Sequence, residues 1–123
     1  MARELNKILA NELPISSNYT SEAIELLFLE AGSFSAKFSN SAGLAGCSAY
    51  LEGSDIVIDT GGSRIASVDN DDWTKINGSD LSISTDTKYR WNIMKISCRW
   101  MRFKLVLSGG SLDLTLTVNG KSG

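Results

Sequence analysis

Apolar and polar positions alternate most cleanly over residues 99–119, RWMRFKLVLSGGSLDLTLTVN. Met101, Phe103, Leu105 and Leu107 form one face of a strand, and Leu112, Leu114, Leu116 and Val118 form one face of the next. With Gly109-Gly110 as a two-residue turn, Leu107 faces Leu112, Leu105 faces Leu114, Phe103 faces Leu116 and Met101 faces Val118. Arg102 and Lys104 then fall opposite Thr117 and Thr115 on the wet side. A ribbon with one apolar face needs a second sheet to cover it.

The same alternation recurs upstream. Phe34, Ala36 and Phe38 alternate with Ser35, Lys37 and Ser39, and Cys47, Ala49 and Leu51 alternate with Ser48 and Tyr50. Residues 24–29 are partly apolar on both faces, the pattern of a central or fully covered strand. Residues 30–33 read as a turn, 39–46 as a loop, and 52–55 as a hairpin turn into Ile56, Val57 and Ile58. Residues 64–68 make at most a short edge strand, and 73–76 a short strand closed by Asn77-Gly78. Tyr89, Trp91 and Ile93 hold odd positions, whereas Met94, Ile96, Cys98 and Trp100 hold even ones; Met101 returns to odd. The phase changes at Ile93/Met94 and Trp100/Met101 call for bulges, a turn, or a crossing between sheets. Together these segments predict an all-β antiparallel β-sandwich or jelly roll of about eight to ten short strands.

The N-terminal segment has a different texture. Leu5, Ile8, Leu9 and Leu13 are spaced as on one face of a helix over residues 3–13, and Pro14 would end it. So short a helix is marginal alone and needs a surface to lie on. Residues 1–21 are therefore read as a helical or extended arm plus linker, and 22–123 as the sandwich domain.

With 123 residues the chain suits one domain and one core, and its net charge of −2 gives nucleic acid no general attraction. It has no histidine, so the commonest general base and neutral metal ligand are missing. No apolar run reaches the roughly 20 residues needed to span a bilayer, and the N-terminus lacks the apolar core of a secretory signal. Synthesis in a cytoplasm is expected, which favours Cys47 and Cys98 as small buried residues over a disulfide.

Asp59-Thr60-Gly61, following Ile56-Val57-Ile58, resembles the active-site strand of retroviral-type aspartic proteases. That likeness implies paired Asp59 carboxylates on the two-fold axis of a dimer. A strand-ending Asp-Thr-Gly-Gly turn is the preferred reading, because no later apolar-apolar-Gly turn leads into a helix. Asp69, Asp71 and Asp72 lack the spacing of a calcium loop and read as a solvated turn. Neither a metal nor another cofactor is called for.

Six bases and no acid lie between Lys88 and Leu112, whereas residues 52–72 hold six acids against Arg64. The basic strands could meet an anionic partner, with Arg99, Arg102, Trp91 and Trp100 as surface contacts. The preferred reading is that basic and acidic strands face each other, within one molecule or across subunits. Exposed tryptophans beside a groove would suit a carbohydrate- or cell-surface-binding lectin; three tryptophans in a small sandwich are more often core.

One resemblance bears on function. DWTKI at 72–76, WMRFKLVLSGG at 100–110 and LTLTVNGK at 114–121 are similar to segments of small virion structural proteins of tailed bacteriophages. The resemblance implies a non-enzymatic β-sandwich of the virion, made in the host cytoplasm, that decorates capsids or forms fibres as a homotrimer. It implies other virion proteins as partners, with Leu5, Ile8, Leu9 and Leu13 as a docking arm; the charge and the short apolar runs point away from nucleic acid and membrane partners. The lectin and, after it, a protease using Asp59 are the alternatives.

Overall fold

In the computed structural model, which describes residues 4–26, 31–93 and 98–121, the period-two segments form strands throughout. They are β1 (Glu4–Ile15), β2 (Tyr19–Thr20), β3 (Ile24–Glu25), β4 (Ala31–Ala45), β5 (Ser48–Ser54), β6 (Val57–Asp59) and β7 (Arg64–Ala66). After a 3-10 turn at Asn70–Asp72 come β8 (Thr74–Lys75), β9 (Leu81–Ser82), β10 (Thr87–Ile93), β11 (Trp100–Val106) and β12 (Gly109–Lys121). A four-stranded sheet has the order β1-β12-β4-β10, and a six-stranded sheet has β2-β11-β5-β8, with β3 also on β11 and β9 also on β5. β6 and β7 make a separate two-stranded hairpin.

The pairing is nested. β1 pairs with β12, β2 and β3 with β11, β4 with β10, and β5 with β8 and β9, all antiparallel. This is the order of a jelly roll: a long ribbon folded over so that its halves face each other as two sheets. Their inner faces share one core that includes Phe34, Phe38, Leu51, Phe103, Leu105, Leu114 and Leu116, each at most 1% exposed. Trp91 of one sheet meets Phe103 of the other edge-on, with ring centroids 5.7 Å apart.

Every apolar residue assigned to the inner faces of 101–107 and 112–118 is buried, but the two strands do not pair. β11 lies in one sheet and β12 in the other. Two strands whose apolar faces meet across the core obey the same alternation as two strands in a hairpin, so the pattern does not distinguish them. Gly110 lies not in a hairpin turn but at an irregularity in the β12–β4 ladder, with φ +88°. A Cβ there would collide with the carbonyl oxygens of Ala42 and Gly43.

The N-terminal helix is likewise absent. Residues 4–15 form an outer strand of the four-stranded sheet, with breaks in register between Ile8 and Ala10 and between Ala10 and Leu13. These bulges disturb the two-residue period. Leu5, Leu9, Ala10 and Ile15 turn toward the core, whereas Ile8 and Leu13 of the helix-like set are exposed. Three turns and loops also change. Residues 31–33 and 39–45 are part of β4, and Glu52, Gly53 and Ser54 continue β5, so 52–55 is not a hairpin turn.

Trp100 and Met101 are adjacent in a regular strand and both buried, so the expected phase change there is absent. Met101 faces the core, and Trp100 lies under a covering loop on the outer face. The phase change at Ile93/Met94 and the apolar positions Leu27, Phe28 and Leu29 lie outside the described residues. The chain passes from the four-stranded to the six-stranded sheet between β10 and β11.

Near Asn40, where φ is +52°, Asp86 accepts hydrogen bonds from Ser41 Oγ, Ser41 N and Asn40 N. The Ser41 hydroxyl above all holds the Asp86 carboxyl below the usual carboxylate range.

Gly110→Ala requires an L side chain in left-handed backbone against two carbonyl oxygens. It is expected to lose more than about 1 kcal/mol of stability, read as a lower urea midpoint at unchanged m-value.

Candidate interaction surface

β11 presents Met101, Phe103 and Leu105 to the core, so Trp100, Arg102 and Lys104 point to the outer face of the six-stranded sheet. That face is covered around Arg102. Register places Arg102 directly opposite Glu52, and its Nε donates to Glu52 Oε1 at 2.8 Å. Its Nη2 donates to Asn70 Oδ1 at 3.1 Å, and its guanidinium lies 4.2 Å from the centroid of Trp73. Trp73 in turn donates from Nε1 to Ser67 O at 2.9 Å. Asp69 accepts from Asp71 N, and Asp72 accepts from the Ser67 hydroxyl. Residues 67–73 are thereby pinned over the sheet by the Arg102–Asn70 hydrogen bond and the Arg102–Trp73 cation–π contact, while Glu52 holds the guanidinium in place from within the sheet.

The covering segment begins with the projecting β6–β7 hairpin. Val57 pairs with Ala66, Ile58 with Ile65 and Asp59 with Arg64. Thr60 N donates to Ser63 O at 2.9 Å, and Gly61 and Gly62 take φ of +72° and +114° at the tip. This is the Asp-Thr-Gly-Gly turn: Asp59 is exposed, and its Oδ1 accepts from Gly62 N at 3.4 Å.

A two-stranded hairpin is marginal alone in water. This one nevertheless leaves large apolar side chains bare: Ile56 is 44% exposed, Ile58 40%, Ile65 45% and, just beyond it, Val68 92%. Between hairpin and sheet runs a groove of about 610 Å³ that includes Arg64, Ile65, Trp73 and Trp100.

The residues expected to make surface contacts divide. Trp91, Trp100 and Arg102 are buried, because the covering segment and the core enclose them. Arg99 is half-buried, its Nε 3.6 Å from Glu25 Oε2, and its backbone N donates to Asp55 Oδ1 at 2.9 Å. Basic and acidic strands therefore face each other within the molecule at Arg102–Glu52 and Arg99–Glu25. With Trp73 also buried, a carbohydrate site built on stacked tryptophans has no platform. In the N-terminal segment Leu5 and Leu9 pack partly on the core, while Ile8 is 64% and Leu13 38% exposed.

Cys47 and Cys98 are both free, and burial pushes both thiols up, away from the reactive thiolate. Among the described residues no three carboxylates, cysteines or histidines converge on a metal-sized site.

Sequence reasoning missed the exposure of Ile56, Ile58, Ile65 and Val68. The Asp-Thr-Gly-Gly-Ser turn between two short apolar runs was the available signal for a hairpin; nothing local marked it as projecting from the sandwich.

No protein-family model and no curated protein sequence matches the chain. Solved structures similar to it include one titled as infectious bursal disease virus, Gx strain, with a TM-score of 0.49 and 12% identity over 98% of this chain and 32% of that one. A second, titled as the T13 particle of the same virus, has a TM-score of 0.46 and 12% identity over 98% of this chain and 35% of that one. The chain spans about a third of the length of those chains. At these scores the likeness says nothing about what this chain does.

Glu52→Ala strands a buried guanidinium and is expected to cost about 3–5 kcal/mol. Replacing Glu52 and Arg102 together by methionine should recover most of that loss, as measured by urea denaturation of the two variants.

Proposed function

We propose that the chain is a non-enzymatic structural protein of a virus particle, of the tailed-bacteriophage capsid-decoration or fibre kind. It acts by self-association, as a trimer, and by docking on other virion proteins, after synthesis in the host cytoplasm. The observation that carries this reading is the exposed apolar hairpin. Ile56, Ile58, Ile65 and Val68 gather on one projection, while the apolar side chains of the inner faces are enclosed in the sandwich core. An apolar patch in water that is clustered and rimmed by charge marks an interaction surface. Its rim is Asp59, Arg64, Asp69 and Asp71, all exposed. The similarity of residues 72–76, 100–110 and 114–121 to phage virion proteins supports the viral setting.

A structural protein of this kind needs a rigid body and a sticky protrusion, and no reactive centre. The jelly roll supplies the body. The hairpin, joined to it through residues 67–73, supplies the protrusion.

Sedimentation velocity over a wide concentration range should show reversible association of the wild-type chain. Ile58→Ser with Ile65→Ser removes roughly 1.5–3 kcal/mol of burial per residue, so association should weaken at least about tenfold while the urea midpoint of the monomer barely moves. A wild-type chain that stays monomeric at the highest soluble concentration would contradict the proposal.

A further inference from the structure

The self-association just proposed requires a receiving surface, and the outer face of the four-stranded sheet has the matching character. Register sets Lys37 of β4 directly opposite Lys88 of β10, with Thr115 of β12 on the other side of Lys37. Like charges placed opposite each other on a sheet repel. In the next outward-facing row, Ile8, Thr117, Ser35 and Arg90 lie side by side across all four strands. Lys37, Lys88 and Arg90 line a shallow depression of about 310 Å³. The ion pairs among the described residues are Lys7–Glu22, Lys75–Asp80, Arg99–Glu25 and Arg102–Glu52, so none of these three cations has a carboxylate within 4.0 Å there. The structure thus divides the basic run of the sequence. Arg99 and Arg102 are neutralised internally, whereas Lys88 and Arg90 join Lys37 on a bare face.

The complement lies on the opposite side of the same molecule. Residues 55–72 carry Asp55, Asp59, Asp69, Asp71 and Asp72 against Arg64, together with the exposed isoleucines and Val68. The receiving face has its own exposed apolar residue, Ile8, in the row beside the cations.

We infer that the acidic β6–β7 hairpin and 69–72 turn of one copy dock on the Lys37–Lys88–Arg90 face of the next copy. This rests on the self-association proposed above and names its two surfaces. The occupant is a second copy because the chain carries both halves of the charge pattern, and because its net charge of −2 disfavours a polyanion. The contact is heterologous: each copy gives its hairpin to one neighbour and its sheet face to another. Such contacts build rings when the rotation closes and filaments when it does not. A ring of three is the closed form that matches the proposed trimer.

The test is an exchange of charge in the full-length chain, read by sedimentation velocity at low salt. Lys37→Glu with Lys88→Glu, and separately Asp59→Lys with Asp71→Lys, should each weaken association at least about tenfold, the equivalent of one 1.4 kcal/mol step. The variant with all four changes restores complementarity and should return to near wild-type association. Lys37→Glu alone should weaken association while its monomer melts at or above the wild-type temperature, since it converts a repelling pair into an attracting one; this separates lost docking from lost folding. Two-site variants that associate like the wild type overturn this inference and leave self-association standing. So does a four-site variant that stays dissociated when the two-site variants are dissociated. A wild-type chain that never associates removes both.

Discussion

The two ends of the chain hold each other, and the rest of the molecule depends on that ladder. Glu4 pairs with Lys121 and Ile15 with Leu112, so the first and last strands are neighbours throughout their length. Inside this pair the partners are nested, down to β5 with β8 and β9. Nearly every ladder therefore closes a long loop, and loop-closure entropy must be met before the contacts it allows can form. The core does not assemble piecewise. Leu114 and Leu116 need β1 on one side and β4 on the other, with Phe103 and Leu105 opposite. Such a body is stable as a unit and slow to form.

The outer edge is also managed. β1 is an outer strand with free backbone groups, the kind of surface that recruits other chains. It carries two breaks in register and Pro14 near its end, features that blunt strand addition. Association by simple edge pairing is thereby discouraged, which leaves side-chain surfaces for the proposed contact between copies.

Those surfaces differ because the two sheets are treated differently. Over the six-stranded sheet, residues 67–73 are anchored on Arg102 through Asn70 and Trp73, and Glu52 neutralises Arg102 internally. Among the described residues no segment covers the four-stranded sheet in this way, and its outer rows place small hydroxyl residues beside Lys37, Lys88 and Arg90. One loop thus does two things. It covers Trp100 and Arg102, which the sequence offered as contacts, and it carries the apolar hairpin. The separation of the acidic hairpin and 69–72 turn from the Lys37–Lys88–Arg90 cluster follows from where that loop lies.

Alternation alone determined that the protein is an antiparallel β-sandwich, and it selected the inward residues of β4, β5, β11 and β12 correctly. Side-chain direction along a strand is a local property with a period of two, so it is written in the residues themselves. Partner choice is not local. Leu105 and Leu114 lie on facing sheets of one core and not within one ladder, and the same string of residues satisfies both arrangements. Bulges in β1 likewise removed the alternation that marks a strand, because each break in register resets the period. The surface was still less legible: whether Arg102 is buried and Lys88 bare depends on which segment lies over each sheet. Only the tertiary structure decided that, since burial and charge pairing are set by neighbours distant in the chain.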